Sequence, residues 1–107
     1  PKTGEERGNG RRHGYLRGWV KTNEDGRYRI DTIRPGSYPG RNVAAHVHMT
    51  VLPPGGDEYR IADTVFEDDP NVDDAYRRRA RTSGGSGIIA LEKAGGIWRG
   101  TRDITLK

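Results

Sequence analysis

The fold class this sequence predicts is all-β, a sandwich of short antiparallel strands with one short helix, and three observations lead there. Sixteen glycines and six prolines cut the chain into segments of roughly five to nine residues, the spacing of a sandwich or barrel. Several of those segments alternate apolar and polar residues with the period of a strand. Hydrophobic residues make up 31% of the chain and charged residues 32%, so the core is expected to be thin, which suits layers of short strands.

At 107 residues the chain is expected to form one domain, 15–107, preceded by an extended polar arm, 1–14. It begins at Pro1 without a methionine, which predicts a processed product or a piece of something longer. No apolar run approaches the ~18 residues needed to cross a bilayer, and no signal-peptide pattern is present, so a soluble, cytoplasmic protein is expected. There are no cysteines, which excludes disulfides and thiolate metal sites. The net charge of +4 is spread among acidic residues without an aromatic stripe, arguing against a nucleic-acid partner and leaving a bias toward anionic aromatic ligands.

Each element follows from local pattern. Tyr15 to Thr22 alternates as a strand with Trp19 as a buried or half-buried anchor, Asn23-Glu24-Asp25-Gly26 is a hairpin turn, and Arg27 to Ile33 is the return strand. Ala44 to Leu52 reads as one strand with His46, His48 and Thr50 on one face and Val47, Met49 and Val51 on the other. Pro53-Pro54-Gly55-Gly56 breaks it, and Tyr59 to Phe66 is the next strand. Asp69-Pro70 reads as an N-cap with proline in the first helical position, followed by Asp73/Arg77 and Asp74/Arg78 pairs along a short helix. Gly87 to Leu91 and Ile97 to Leu106 close the fold across Ala94-Gly95-Gly96, with Trp98, Ile104 and Leu106 as apolar positions.

The stretch that carries chemistry is DTIRPGSYPGRNVAAHVHMT, Asp31 to Thr50. Two imidazoles two residues apart project from one strand face, and Tyr38 sits in a Pro-Gly-Ser-Tyr-Pro-Gly turn just upstream. Two neutral imidazoles with a phenolate are a mixed nitrogen and oxygen donor set. A phenol of pKa about 10 ionises near neutrality only against a cation, and ferric iron suits that hard oxygen best. The competing reading for the histidines is a solvated strand face; two on one face behind this turn favour ligation.

Thr22, Asp25, Gly26, Tyr28, Thr32, Ile33, Arg34, Pro35, Gly36, Tyr38 and Pro39, followed by His46 and His48, form a pattern that resembles the intradiol ring-cleavage dioxygenases, the catechol and protocatechuate dioxygenase family. The resemblance covers Arg17 to about Phe66 well and Trp98 to Leu106 loosely. It implies a non-haem Fe(III) centre with two histidines and two tyrosinates that opens a small aromatic diol with O2 to a muconate-type diacid, and a homo-oligomer. Tyr38, His46 and His48 match three of the ligand positions; the fourth falls to Tyr15, which would also accept the catechol proton, or to a residue before Pro1 or on another chain. The family's arginine three residues before the first histidine is Val43 here, with Arg41 as its substitute, and a position that is often glutamine in the family is Asp63. Two other classes explain parts of the pattern. A transthyretin-like or carboxypeptidase-regulatory-like binding module accounts for the turn without a metal, and a cupin-like site of His13, His46 and His48 accounts for the histidines without Tyr38; zinc hydrolysis is a weaker variant.

Overall fold

The computed structural model describes residues 17–37 and 42–107, and these fall into two units, one ending at Ile33 and one starting at Arg34. The described residues are all-β with one short helix, as expected. Its strands are β1 (His46–Val47), β2 (Thr50–Val51), β3 (Tyr59–Arg60), β4 (Thr64–Phe66), β5 (Ile88–Ile89), β6 (Glu92–Ala94) and β7 (Ile97–Arg99), with helix α1 (Asp74–Arg79) between β4 and β5. They form one sheet ordered β1-β4-β5 and two hairpins, β2-β3 and β6-β7. No helix among the described residues is long and apolar enough to cross a membrane.

In the first unit the Asn23–Gly26 turn forms as expected. The Asn23 amide donates to the Arg27 carbonyl at 2.9 Å, and the Asn23 side-chain oxygen accepts from the amides of Asp25 and Arg27. Among the described residues the flanking segments, expected as paired strands, carry no ladder, and Trp19, expected as a buried anchor, is 95% exposed. A lone two-stranded ribbon is marginal in water. Of the described residues in this unit only Tyr28 is even half-buried, so no apolar face stabilises a ladder.

In the second unit β4 is the centre. Thr64, Val65 and Phe66 are all buried, Val65 to 1% exposure, and Val65 with Ala44 and Val72 makes the core against which Tyr76 and Ile88 pack. β-Branched and aromatic residues suit a strand covered on both faces. β1 pairs with β4 antiparallel, and β5 joins its other edge in parallel, through Val65 N–H to Gly87 O and Glu67 N–H to Ile89 O, each 2.8 Å. Parallel pairing needs a long crossover, and the Glu67–Gly87 segment with α1 supplies it. The β6-β7 hairpin turns on Gly95 and Gly96, both at positive φ, as a two-residue primed turn demands. Of the apolar residues expected to close the fold, Trp98 and Leu106 are exposed.

Helix α1 starts later than the Asp69-Pro70 signal predicts. Asp73 is the N-cap, its carboxylate accepting the Tyr76 amide at 2.8 Å, and Arg77, Arg78 and Arg79 sit in the last turn, where cations oppose the helix dipole. Asp69 is instead drawn inward: its carboxylate accepts the Ala45 amide at 2.8 Å and the Asn71 amide at 2.9 Å, tying the approach to β1 to the turn after β4. Next to it, Arg34 forms a two-point ion pair with Asp68 and lies 4.7 Å from the Phe66 ring centre. That hydrogen bonding holds the Asp68 carboxyl below its ordinary 3.8. Because the folded value is depressed, the pair's contribution is full above pH 3.8 and is lost as pH falls through the lowered value. The stability difference between wild type and Asp68→Asn, small because the pair is exposed, is expected to close in acid; a difference that persists to the lowest pH would assign the effect to something other than charge.

Gly87 passes so close to Asp63 that a Cβ there would stand 1.9 Å from the Asp63 carbonyl oxygen. Gly87→Ala is expected to cost about 1–3 kcal/mol of stability in denaturant unfolding, whereas Gly36→Ala, where a Cβ meets nothing within 4 Å, is the control. Equal unfolding midpoints for wild type and Gly87→Ala would show that β5 does not seat against Asp63.

Candidate metal centre

The two strands expected to be continuous, 44–52 and 59–66, are one antiparallel pairing with a slip in it. His46 pairs with Val65 and Val47 with Thr64, and the same register carried one residue on sets His48 across from Asp63. Beyond that point the register has moved by one: the Ile61 amide donates to the Met49 carbonyl at 3.1 Å, Thr50 pairs with Arg60, and Val51 with Tyr59. Ala62 is the extra residue, as in a β-bulge. In a regular strand Arg60 and Asp63, three apart, would point to opposite faces. The bulge brings them to the same one, and Arg60 Nη2 lies 3.5 Å from Asp63 Oδ1.

That face also holds the histidines, whose ring centres are 4.7 Å apart at an interplanar angle of 61°. Nδ1 of His46 lies 2.8 Å from the Ala44 carbonyl oxygen. A carbonyl only accepts, so Nδ1 carries the proton and the neutral ring's lone pair is on Nε2. Nδ1 of His48 lies 2.8 Å from Asp63 Oδ1 and also contacts Nη2 of Arg60, which is 3.4 Å from the same ring's Nε2. A carboxylate accepts and a guanidinium only donates, so His48 Nδ1 either gives its proton to Asp63 or offers its lone pair to Arg60. The cationic group thus sits against an imidazole nitrogen and a carboxylate oxygen, the place a metal cation would take.

His46, His48 and Asp63 each offer one donor atom within 4.8 Å of the others, and they are the one such group of three among the described residues. Two imidazole nitrogens and a carboxylate oxygen suit a first-row transition metal with open positions. Two imidazoles and one carboxylate are a donor set in which non-haem iron is held.

Two cavities flank the cluster. One of about 260 Å3 is lined by His46, Asp63, Val65, Asn71, Tyr76 and Arg79. The other, of about 550 Å3, shares Asp63, Tyr76 and Arg79 with the first and adds Arg60, Arg77 and Arg81. Burial pushes the Tyr76 phenol above its ordinary 10.0; the Asp63 charge adds to the rise and Arg102 opposes it. Tyr76 is therefore a neutral hydrogen-bonding phenol at neutral pH, not a ready phenolate.

From behind, Nη1 of Arg102 donates to the Ala62 carbonyl and to Thr64 Oγ1, each at 2.6 Å, bracketing Asp63 on both sides. Thr64 and Arg102 lie on the opposite face, with Met49, whose sulfur is 3.0 Å from Thr64 Oγ1. The structure brings together His46 and His48 as the sequence predicts. Tyr15, Tyr38 and Arg41, with His13 of the cupin-like alternative and the arm 1–14, lie outside the described residues. Arg60, Tyr76 and Arg102 were not singled out in the sequence, and Asp63 stood there only as a departure from the family pattern. No protein-family model, curated protein or solved structure matches the chain.

The hydrogen bond to the Ala44 carbonyl makes His46 an Nδ1–H tautomer. Long-range 1H–15N correlation spectra of the neutral rings are expected to show Nε2 of His46 unprotonated. A protonated Nε2 would remove this nitrogen from the donor set.

Proposed function

We propose that the chain is a non-haem ferric dioxygenase of the intradiol type, acting on a small aromatic diol that carries an anionic substituent. The observation that carries the reading is the face on which His46 and His48 stand 4.7 Å apart with Asp63 within donor distance. The upstream Tyr38 turn and the resemblance to intradiol enzymes support it from the sequence. His46, His48 and Tyr38 would hold the iron. Ferric iron held there would supply a Lewis acid that favours loss of the diol protons, and the resulting dianion is electron-rich enough to meet dioxygen.

The reaction needs no added reductant. The bond between the two hydroxyl-bearing carbons and the O–O bond break, two new C–O bonds form, and each resulting carboxyl group receives one atom of O2. The protein's part is to orient and to balance charge. The Ala44 carbonyl fixes the His46 ring, the kind of outer hydrogen bond that sets a ligand's direction. Arg60, Arg77, Arg79 and Arg81 line the larger cavity and favour a negatively charged ring substituent over a neutral one. Tyr76, neutral and shared by both cavities, can donate a hydrogen bond to a diol oxygen.

A metal-free binding module of the transthyretin-like kind is the alternative, and the experiment separates them. Protein purified without chelator is expected to carry close to one iron per chain with a visible tyrosinate charge-transfer band. That band should shift when an anionic catechol is added without oxygen, and Tyr38→Phe should abolish it while leaving the unfolding midpoint nearly unchanged. A colourless protein that takes up no iron on reconstitution would support the module. Unfolding of Tyr38→Phe would make Tyr38 a structural corner.

A further inference from the structure

The ferric reading leaves a ligand position open, because the second tyrosinate that the family resemblance implies has only Tyr15 as a candidate in this chain. We propose that Asp63 supplies the anionic ligand at that position, and that Arg60 is the counter-cation seated on its carboxylate when no metal is bound. The proposal rests on the ferric reading for the identity of the metal but not for the involvement of Asp63.

Three observations carry it. First, Asp63 is across from His48 by strand register, with its Oδ1 2.8 Å from His48 Nδ1, so its position does not depend on a flexible side-chain reach. Neighbouring ligands on one metal stand about this far apart when each is about 2 Å from the ion. Second, the backbone that holds Asp63 is fixed from two sides, by Arg102 bonding the residues before and after it and by Gly87 packed against its carbonyl. Rigid support of that kind is what a ligand needs and what a merely solvated carboxylate lacks. Third, the bulge at Ala62 turns Arg60 onto the same face, where its guanidinium nitrogen meets His48 and lies 3.5 Å from Asp63 Oδ1. A cation already lies against two of the three donors.

The exchange also balances charge. Two neutral imidazoles, one phenolate from Tyr38 and one carboxylate from Asp63 carry the same total charge as two imidazoles and two phenolates. The difference is optical: one tyrosinate on the iron gives a weaker charge-transfer band than two.

The test uses the full chain in four forms. Asp63→Cys loaded with Co2+ is expected to show an intense thiolate-to-cobalt band absent from wild type, because residue 63 then bonds the metal directly; Co2+ binding without that band would overturn the proposal, leaving Asp63 as a support for His48. Tyr15→Phe, which leaves Asp63 intact and so reports even where position 63 tolerates no change, is expected to keep the iron load and visible band of wild type. Loss of the band there would overturn the proposal by giving the position to Tyr15. Arg60→Gln is expected to raise the affinity for Fe3+ and Co2+ at least several-fold by removing the competing cation, and an unchanged affinity would overturn Arg60's part. A Co2+ thiolate band in Asp63→Cys from a chain whose wild type takes up no iron would uphold Asp63 as a metal ligand while sinking the ferric reading.

Discussion

Arg60 owes its place at the candidate centre to a one-residue slip between two paired strands. β1 and β4 run in one register, which sets His48 across from Asp63, and β2 and β3 run in the next; the change at Ala62 is what brings Arg60 to that pair. Without it, the period-two rule would send Arg60 to the face of Thr64 and Met49, and His48 would face Asp63 with no cation beside them. The slip leaves an extra residue outside the ladder, and its peptide needs partners elsewhere. The Ala62 amide finds the Ser83 carbonyl at 2.9 Å and the Ala62 carbonyl finds Arg102 at 2.6 Å. A guanidinium is costly to bury, and Arg102, 8% exposed, is held where it satisfies the irregular backbone that the site requires.

The core around β4 is small for the work it does. Ala44, Val65 and Val72 form it, with Tyr76 and Ile88 packed on its edge, and no residue of α1 is fully buried. Hydrophobic burial scales with area, so a cluster of two valines and an alanine leaves polar contacts to fix geometry. Asp69 does this for β1, since its carboxylate accepts the Ala45 amide one residue before His46. Gly87 does it for β5, by allowing the two backbones to come closer than any side chain would permit. One ring orientation at the site thus traces back to a buried aspartate in the turn after β4, and the other to the residue that faces it across the slip.

The all-β class, the Asn23–Gly26 turn, the Gly95-Gly96 hairpin and the shared face of His46 and His48 were legible because each rests on local chemistry: glycine at turns and a period of two in strands. The late start of α1 was not. Asp69-Pro70 has the look of a cap, but a buried backbone amide at Ala45 competes for the same carboxylate and wins it, and Asp73 caps the helix in its place. Trp19 misled for a related reason, since alternation predicts a strand face but not whether anything covers it. The partnership of Arg60 with Asp63 was invisible, because spacing of three places residues on opposite sides of a regular strand and only a register slip reverses that. Small Ala62 between them is compatible with a bulge without announcing one.

On the proposed reading, the arrangement accounts for how a basic chain could keep a cation site open. Arg60, Arg77, Arg79 and Arg81 surround a cavity whose one acidic lining residue is Asp63, so a metal approaching from that side meets repulsion as well as its ligands. Coulomb attraction rises with charge and falls with distance. A trivalent ion bonded directly to a carboxylate oxygen therefore outweighs a single delocalised charge 3.5 Å away, as Arg60 is from Asp63. The guanidinium, half-exposed, already lines the cavity, and on the proposed reading a bound metal would release it from Asp63. There it would add to the field that draws an anionic ring. The residue that guards the donors in the absence of metal would then help to hold the substrate in its presence, which couples metal loading to anion binding through one side chain.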